Sequence, residues 1–523
     1  MTMPDLLAQE GGKLNLRGRR LLVVGLAREG TALARYLSQQ GAHVAATDLK
    51  PLEAFGDALT PLVKAGVDLI LGEHPASLLN ECEVAFVSPG VPFDAPFLDE
   101  ARARSVPLST ESRLFCQVCP APIAAITGSS GKTTTTTLVG EILTKCSGGE
   151  AGARACKVWV GGNIGQPLIE QLDQILPDDK VVMELSSFQL EYFHPSANDH
   201  VGDCDPVWLP LLAGWSPSVG TILNITPNHL DRHPSMEAYV HAKRAVLAYR
   251  RPGDTAVLGM DNEITQAIGR ESGGRVRWFT TESAGCRLLP EGDGACLSDE
   301  GPQATIVLRR PHESHESPVC RVSDIRLRGS HNVSNVLAAC VIADALDAPV
   351  EAMREVITTF AGVEHRLELV GEIDDVRYYN DSIATSPERM VAALESFDEP
   401  IVLLAGGRDK HLPWDEAAGL ILQRAQHVIL FGEAVELIAG VIEAEYRKLE
   451  AKDQKPGPGR KPMLHRCVTL DDAVAVAAQV AHSGDVVLLS PGCTSFDSFH
   501  DFAERGDRFR ELVDALASDA VAI

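Results

Sequence analysis

Apolar positions in this chain come in short unbroken runs, each stopped by a glycine, a proline or a polar cluster and then followed by residues at helical spacing. Arg20-Leu21-Leu22-Val23-Val24-Gly25-Leu26 is one such run. It predicts a strand entering a glycine turn, a helix over 30–39 and a second strand ending at Asp48, which together make a βαβ unit of Rossmann type. A further strand over 84–87 stops at Ser88-Pro89-Gly90, a turn that the residues alone leave open as plain loop or ligand edge. From about 121 to 327 the alternation repeats, with strands at 122–126, 180–184 and 220–225 and a helix at 236–249. From 329 onward it resumes, with strands at 401–404 and 428–431. This pattern predicts an α/β protein of three domains: Rossmann-like over 1–119, a central P-loop ATPase-like parallel-sheet domain over 120–328, and a Rossmann-like domain over 329–523. Three stretches, 145–156, 197–216 and the polar 447–461, read as insertions or loops without chemistry and are expected to be mobile.

Composition narrows the partners. With 47 basic and 72 acidic residues the formal charge is −25, which argues against nucleic acid or an acidic membrane surface. No apolar run is long enough to span a bilayer, and the N-terminus lacks a cationic, apolar signal pattern, so a cytoplasmic protein is expected. Twelve cysteines in 523 residues are too sparse for a disulfide framework, and Cys116-x-x-Cys119 has no second pair to complete a zinc site. The thiols are expected to be reduced.

Chemistry concentrates in a few turns. The apolar strand before Thr127 runs into Gly128-Ser129-Ser130-Gly131 and opens a helix at Lys132-Thr133-Thr134. Glycines let backbone N–H groups turn inward around phosphate oxygens, Lys132 adds a compact cation, and the Thr133 hydroxyl suits a nucleotide-bound Mg²⁺. The loop is shorter than the general formula, whose first glycine would fall at Ile126. The 180–184 strand ends on Glu184, a carboxylate that beside such a loop can hold Mg²⁺ or simply be solvated. Asn228-His229-Leu230-Asp231-Arg232-His233 packs imidazoles, a carboxylate and an arginine into one turn. Lys243, on the helix after it, reads from its residues alone as a solvent-facing amine. In the last region four polar clusters, 331–335, 379–386, 404–410 and 489–497, adjoin apolar segments and are expected to gather at one edge of a parallel sheet.

Taken together these residues resemble the ATP-dependent Mur ligases over nearly the whole chain. Thr127 to Thr133 is similar to the family's T-G-x-x-G-K-[ST], and Glu184-Leu185-Ser186-Ser187-Phe188-Gln189-Leu190-Glu191 resembles the signature of its glutamate-adding branch. Gly161 to Gly165, the Asn228 cluster, His331-Asn332, Glu364-His365-Arg366 and Asn380-Asp381-Ser382 follow in family order.

The resemblance implies a set of roles. Leu26, Ala27, Asp48 and Lys50 would lie near the uracil of a UDP-linked substrate, Ser88-Pro89-Gly90 near its diphosphate, and Asn163 and His229 along the rest of it. Gly128, Ser129, Ser130, Gly131, Lys132, Thr133 and Thr134 would cradle the ATP phosphates, with Asn332, Asn335, Arg366 and Asp381 on adenine, ribose and phosphates. Two Mg²⁺ sites are implied, one on Thr133 and Glu184 and one on His229 and Lys243, the lysine carrying a carbamate derived from CO₂. Lys132, Glu184, His229 and Lys243 form the implied catalytic set. Thr385, Lys410, Ser495 and Phe502 would hold glutamate. The implied reaction joins D-glutamate to UDP-N-acetylmuramoyl-L-alanine through an acyl phosphate in peptidoglycan-precursor synthesis, in a monomer. The chain departs from the family where lysine is frequent (Ile383) and where aspartate is frequent (Asn228). A related branch adds L-glutamate. The Asp-Asn-Pro-Arg of the diaminopimelate-adding branch is absent from the sequence, and a P-loop switch that hydrolyses ATP without substrate is the alternative from another class.

Overall fold

The computed structural model describes residues 14–147, 156–202, 204–229, 232–282, 289–299, 301, 303–311, 313, 315–410, 412–451 and 461–521. Three sheets organise them. In the first, Arg20–Val24 lies at the centre, with His43–Asp48 and then Asp68–Leu71 on one side and Val84–Val87 and then Leu108–Ser109 on the other, all parallel. The apolar runs are continuous because helices cover the sheet and both faces of its central strands are buried.

The second sheet has nine strands in the order Ser317–Arg321, Thr305–Arg309, Gly294–Leu297, Arg275–Phe279, Thr255–Gly259, Val219–Ile222, Ile123–Thr127, Lys180–Glu184 and Val158–Gly162. The pairings are parallel from Gly294–Leu297 onward and antiparallel at the other edge. The third sheet orders Glu368–Ile373, Val376–Asn380, Val486–Gly492, Ile401–Gly406, Ala425–Phe431 and Met463–Arg466, with only the first pair antiparallel.

By packing, the chain falls into two compact units. One comprises the described residues up to Asp324 together with Val333–Thr358, and holds the first two sheets. The other comprises Ile325–Asn332 and the described residues from Thr359 onward. The division passes through the first turn of the helix Ser330–Asp344. In the first unit one continuous core joins Leu33 and Phe115 to Ile123, Met183 and Ile222. In the second, apolar layers cover both faces of the sheet: Leu403, Leu430 and Leu488 on one, Leu404, Ile429 and Leu489 on the other.

Residues 197–216 correct the expectation of a mobile loop. Trp208 and Leu211 are each 1% exposed. Asn198 exchanges two hydrogen bonds with the backbone of Leu108, at 2.7 and 3.0 Å, and the buried Arg113 guanidinium donates to the carbonyls of Tyr192 and Ala213. The segment reads as a loop because its apolar residues follow neither helical nor strand spacing, yet their burial anchors it. Residues 148–155 and 452–460, the cores of the other two expected loops, lie outside the described residues. A second correction concerns the cysteines: among the described residues ten form no disulfide, but Cys296 is disulfide-bonded.

Candidate active site

The phosphate loop begins where the buried strand Ile123–Thr127 ends and stops where the helix Lys132–Cys146 starts. Its two glycines are required for different reasons. A Cβ on Gly128 would lie 3.0 Å from Leu223 Cβ, whereas Gly131 has φ +80° and a Cβ there would run into Asn335 Oδ1. The loop's outer side is tied down: Ser130 N–H donates to Asn224 Oδ1 at 3.0 Å, and Ser129 Oγ lies 2.9 Å from both Thr226 O and Tyr239 Oη. Lys132 Nζ donates to the carbonyls of Gly128 (3.0 Å) and Ser129 (3.3 Å). A cation is thereby held at a helix N-terminus, beside donors already disposed toward anions.

Glu184, 2% exposed, sits at the end of the adjacent strand, paired with Ile126. One carboxylate oxygen accepts the Thr133 hydroxyl at 2.8 Å and the other accepts Asn163 Nδ2 at 2.8 Å. Thr133, Glu184 and Asn163 therefore form one chain of oxygen and amide groups. Lys243 is not at the surface. It is 1% exposed, and its Nζ donates to Gly128 O at 2.8 Å from beneath the loop. Burial holds its amine well below the ordinary lysine value, and the neighbouring Lys132 charge pushes the same way, against the opposing pull of Glu184. His229 has φ +56° and meets the Phe188 ring edge-on, with centroids 5.0 Å apart. Leu230 and Asp231, its neighbours in the expected cluster, lie outside the described residues. Among the described residues no group of three or more His, Cys, Asp and Glu side chains could hold a metal. The hard oxygen donors that Mg²⁺ favours are supplied at Thr133 and Glu184.

At the crevice of the first sheet, Asp48 is the organising residue. Its carboxylate accepts from Leu26 N–H at 2.7 Å and Lys50 N–H at 2.9 Å. Ala27 precedes the helix Arg28–Gln39 with no side-chain cap, which leaves the amides of the first turn available to a ligand. Ser88 Oγ donates to Gly25 O at 2.6 Å, and Gly30 packs so closely that a Cβ would run into that same carbonyl. Arg232 reaches this turn and donates to the carbonyls of Pro89 and Val91 at 3.3 and 3.4 Å. Sequence reasoning saw Arg232 only as part of a dense cluster.

In the second unit the turns after Val376–Asn380, Ile401–Gly406 and Val486–Gly492 do meet at one edge, since these neighbouring strands are parallel. The fourth cluster, 331–335, instead opens a helix, and the two units divide it. Asn335 packs at Gly131 in the first unit, while Asn332, Arg366 and Asp381 belong to the second. Asn332 Nδ2 donates to Arg328 O at 2.6 Å. Arg366 lies in a tight turn, its N–H donating to Val363 O. Burial pushes the Asp381 carboxyl up to about 7, against the Ser490 hydroxyl it accepts at 3.0 Å and the Arg366 charge. Lys410 Nζ donates to Thr385 Oγ1 at 3.2 Å, and its amine is lowered by burial and the Arg389 charge. Ser495 is buried, and Phe502 is 37% exposed. Sequence reasoning missed Arg505. It is fully buried and ties Ser382 (Oγ at 3.0 Å, O at 2.9 Å) to Cys493 O at 3.2 Å. Its helical position carries no local sign of that contact.

A glycine-bounded phosphate loop with a strand-end carboxylate, on parallel α/β sheets, defines a phosphate-loop α/β protein. The chain belongs to the Mur ligase family. The MurD-like N-terminal domain of Mur ligases matches residues 19–109, the Mur ligase middle domain 210–343 and the Mur ligase glutamate ligase domain 365–493. The UDP-N-acetylmuramoylalanine--D-glutamate ligase of Symbiobacterium thermophilum is 39% identical, over 95% of this chain and 98% of that protein. The protein of the same name from Acetivibrio thermocellus is 36% identical, over 96% and 98%. Among solved structures, UDP-N-acetylmuramate-alanine ligase from Thermotoga maritima aligns at a TM-score of 0.53 with 17% identity, covering 95% of this chain and 99% of that one. MurF from Acinetobacter baumannii aligns at 0.51 with 17% identity, covering 94% and 93%. These two show the shared three-domain fold.

Proposed function

We propose that this chain is an ATP-dependent ligase joining D-glutamate to the alanine carboxylate of UDP-N-acetylmuramoyl-L-alanine, a step of peptidoglycan-precursor synthesis. The observation that carries the reading is the Thr133–Glu184–Asn163 chain beside the phosphate loop, in which Thr133 would face the ATP phosphates and Asn163 the nucleotide-sugar substrate. Relatives named for D-glutamate at 39% and 36% identity support the choice of amino acid.

The alanine carboxylate attacks the γ-phosphorus of ATP, ADP leaves, and an acyl phosphate forms. Lys132 and the loop amides, from Gly128 to Thr134, neutralise charge that spreads over the phosphoryl oxygens. Mur ligases use ATP and Mg²⁺. Here Thr133 and Glu184 would hold one Mg²⁺, with His229 and a carbamylated Lys243 holding a second, and the ions would offset phosphate charge. The lowering of the Lys243 amine by burial favours carbamylation, in which the nitrogen lone pair of the deprotonated amine bonds to CO₂ and a proton is released. The free amine of glutamate then attacks the acyl carbonyl, phosphate departs with the C–O bond electrons, and the amine proton is lost to give the amide.

Leu26, Ala27, Asp48, Lys50 and Ser88 would orient the UDP end, and Asn163 and His229 the sugar and peptide end. Asn332, Asn335, Arg366 and Asp381 would grip the adenosine side, and Thr385, Lys410, Ser495 and Phe502 the two glutamate carboxylates. Residues 1–119, 120–328 and 329–523 form the corresponding domains in this reading, working as a cytoplasmic monomer without nucleic-acid or membrane partners. Among the described residues no helix is long and apolar enough to cross a membrane.

Phosphate release with UDP-N-acetylmuramoyl-L-alanine plus D-glutamate, L-glutamate or other amino acids tests the reading. Release that needs D-glutamate is expected. Release with L-glutamate instead moves the chain to the other branch, and substrate-independent ATP hydrolysis alone sinks the ligase.

A further inference from the structure

Four residues beyond His229 stands His233, a histidine for which the reaction above has no task. It is 1% exposed and both ring nitrogens are engaged: Nε2 lies 2.9 Å from Ser187 Oγ, and Nδ1 lies 3.0 Å from Glu191 Oε1. A carboxylate only accepts, so Nδ1 donates to Glu191, and in the neutral ring Nε2 accepts the serine hydroxyl. Hydroxyl, imidazole and carboxylate stand in the order of a nucleophilic triad. Ser187 is only 2% exposed, however, so no substrate carbonyl reaches its hydroxyl.

The ring faces are what the arrangement uses. Phe188 stacks on His233, with centroids 5.4 Å apart and planes 15° apart, and the same Phe188 meets His229 edge-on. Arg232 lies over Phe188 at 4.6 Å. Tyr239 packs 5.1 Å from His233, its hydroxyl lies 2.9 Å from Ser129 Oγ in the phosphate loop, and Lys243 Nζ sits 4.7 Å from the centre of its ring. One imidazole thus touches the two rings that touch His229, Ser129 and Lys243.

We propose that His233 is a positioning residue for the ligase reaction: Ser187 and Glu191 lock its ring, and the locked ring sets Phe188 against His229 and Tyr239 against Ser129 and Lys243. The proposal rests on the ligase reading above. His229 is held at a positive φ, and the Ser129 hydroxyl is shared between the Thr226 backbone and the Tyr239 hydroxyl. A positive φ is not self-supporting, and a buried hydrogen-bonded ring with fixed rotation backs Phe188 against His229 and fixes Tyr239 as the side-chain anchor of Ser129.

His233→Phe keeps a ring and removes both hydrogen bonds. With near-UV circular dichroism matching the parent, kcat should fall about tenfold or more, KM for glutamate should stay within about twofold, and a non-hydrolysable ATP analogue with Mg²⁺ should bind about tenfold more weakly by calorimetry. Glu191→Gln, which keeps an acceptor beside Nδ1, should retain at least about a third of kcat. Ser187→Ala added to His233→Phe should cost less than about twofold more, because the pair acts as a unit. Parental kcat and analogue affinity in His233→Phe would overturn the proposal, as would losses that merely track unfolded protein. If His233→Phe does not fold, Ser187→Ala alone should lower kcat about threefold, and unchanged kinetics there overturn it too. A parent enzyme without glutamate-dependent phosphate release sinks the ligase reading, and the analogue affinity still decides the role of His233.

Discussion

Thr133 donates its hydroxyl hydrogen to Glu184 across 2.8 Å, joining the first turn of the phosphate-loop helix to the end of the neighbouring strand. The second oxygen of the same carboxylate takes Asn163 Nδ2. Glu184→Gln keeps the shape and removes the charge, so kcat should drop on the order of a hundredfold while the thermal midpoint changes little. Thr133→Ala should instead raise the Mg²⁺ concentration needed for half-maximal rate. Steady-state kinetics over a Mg²⁺ series reads both outcomes.

Gly131→Ala should be disproportionately harmful for a single methyl group. It forces a side chain into positive φ and against Asn335 Oδ1. A loss of about 1–2 kcal/mol of stability is expected in urea titration, with weaker binding of an ATP analogue. Asn335→Ala in the same background, by removing the Oδ1 that the new methyl meets, should restore part of the lost stability.

Lys243→Ala should abolish phosphate release without unfolding the protein, since an apolar group then occupies a buried amine's place. Removing bicarbonate and CO₂ should slow the parent enzyme, and adding bicarbonate back should restore it. A fully active alanine variant would rule out any role for a carbamate at this position.

Glu111 is 4% exposed, and burial, with the Glu29 charge second, pushes its carboxyl up to about 8 from an ordinary 4.5. The folded protein therefore keeps a proton that the unfolded chain gives up. The stability this contributes is present at acid pH and is lost as pH rises from about 4.5 through about 8. Glu111→Gln should be near neutral at pH 5 and stabilising by on the order of 2 kcal/mol at pH 8.5, flattening the pH profile in urea titrations.

Lys410→Met should raise KM for glutamate by at least about tenfold and leave analogue binding unchanged, because it removes the ammonium that reaches Thr385 Oγ1. Isothermal titration with each ligand separates the two effects.

Strands, glycine turns and the Lys132-Thr133 pair were legible because they are local. A continuous apolar run ended by glycine has few other meanings in an α/β chain. Residues 197–216 were misread for the converse reason, since Trp208 and Leu211 find their neighbours far away in the chain. From its local residues Lys243 read as a surface amine, and only the resemblance to Mur ligases pointed inward; the fold turned its helix face beneath Gly128.

By itself the sequence determined the element types, the three sheet-forming regions, the phosphate loop and the family's motif order, all of which depend on neighbours within a few residues. Only the tertiary structure decided that Glu184 faces Thr133, that Asn335 packs on Gly131 while Asn332 belongs to the other unit, and that His233 lies between Phe188 and Tyr239. Those relations arise from strand order and helix packing, which bring together residues tens of positions apart. No local spacing encodes which face of a helix is buried against which loop.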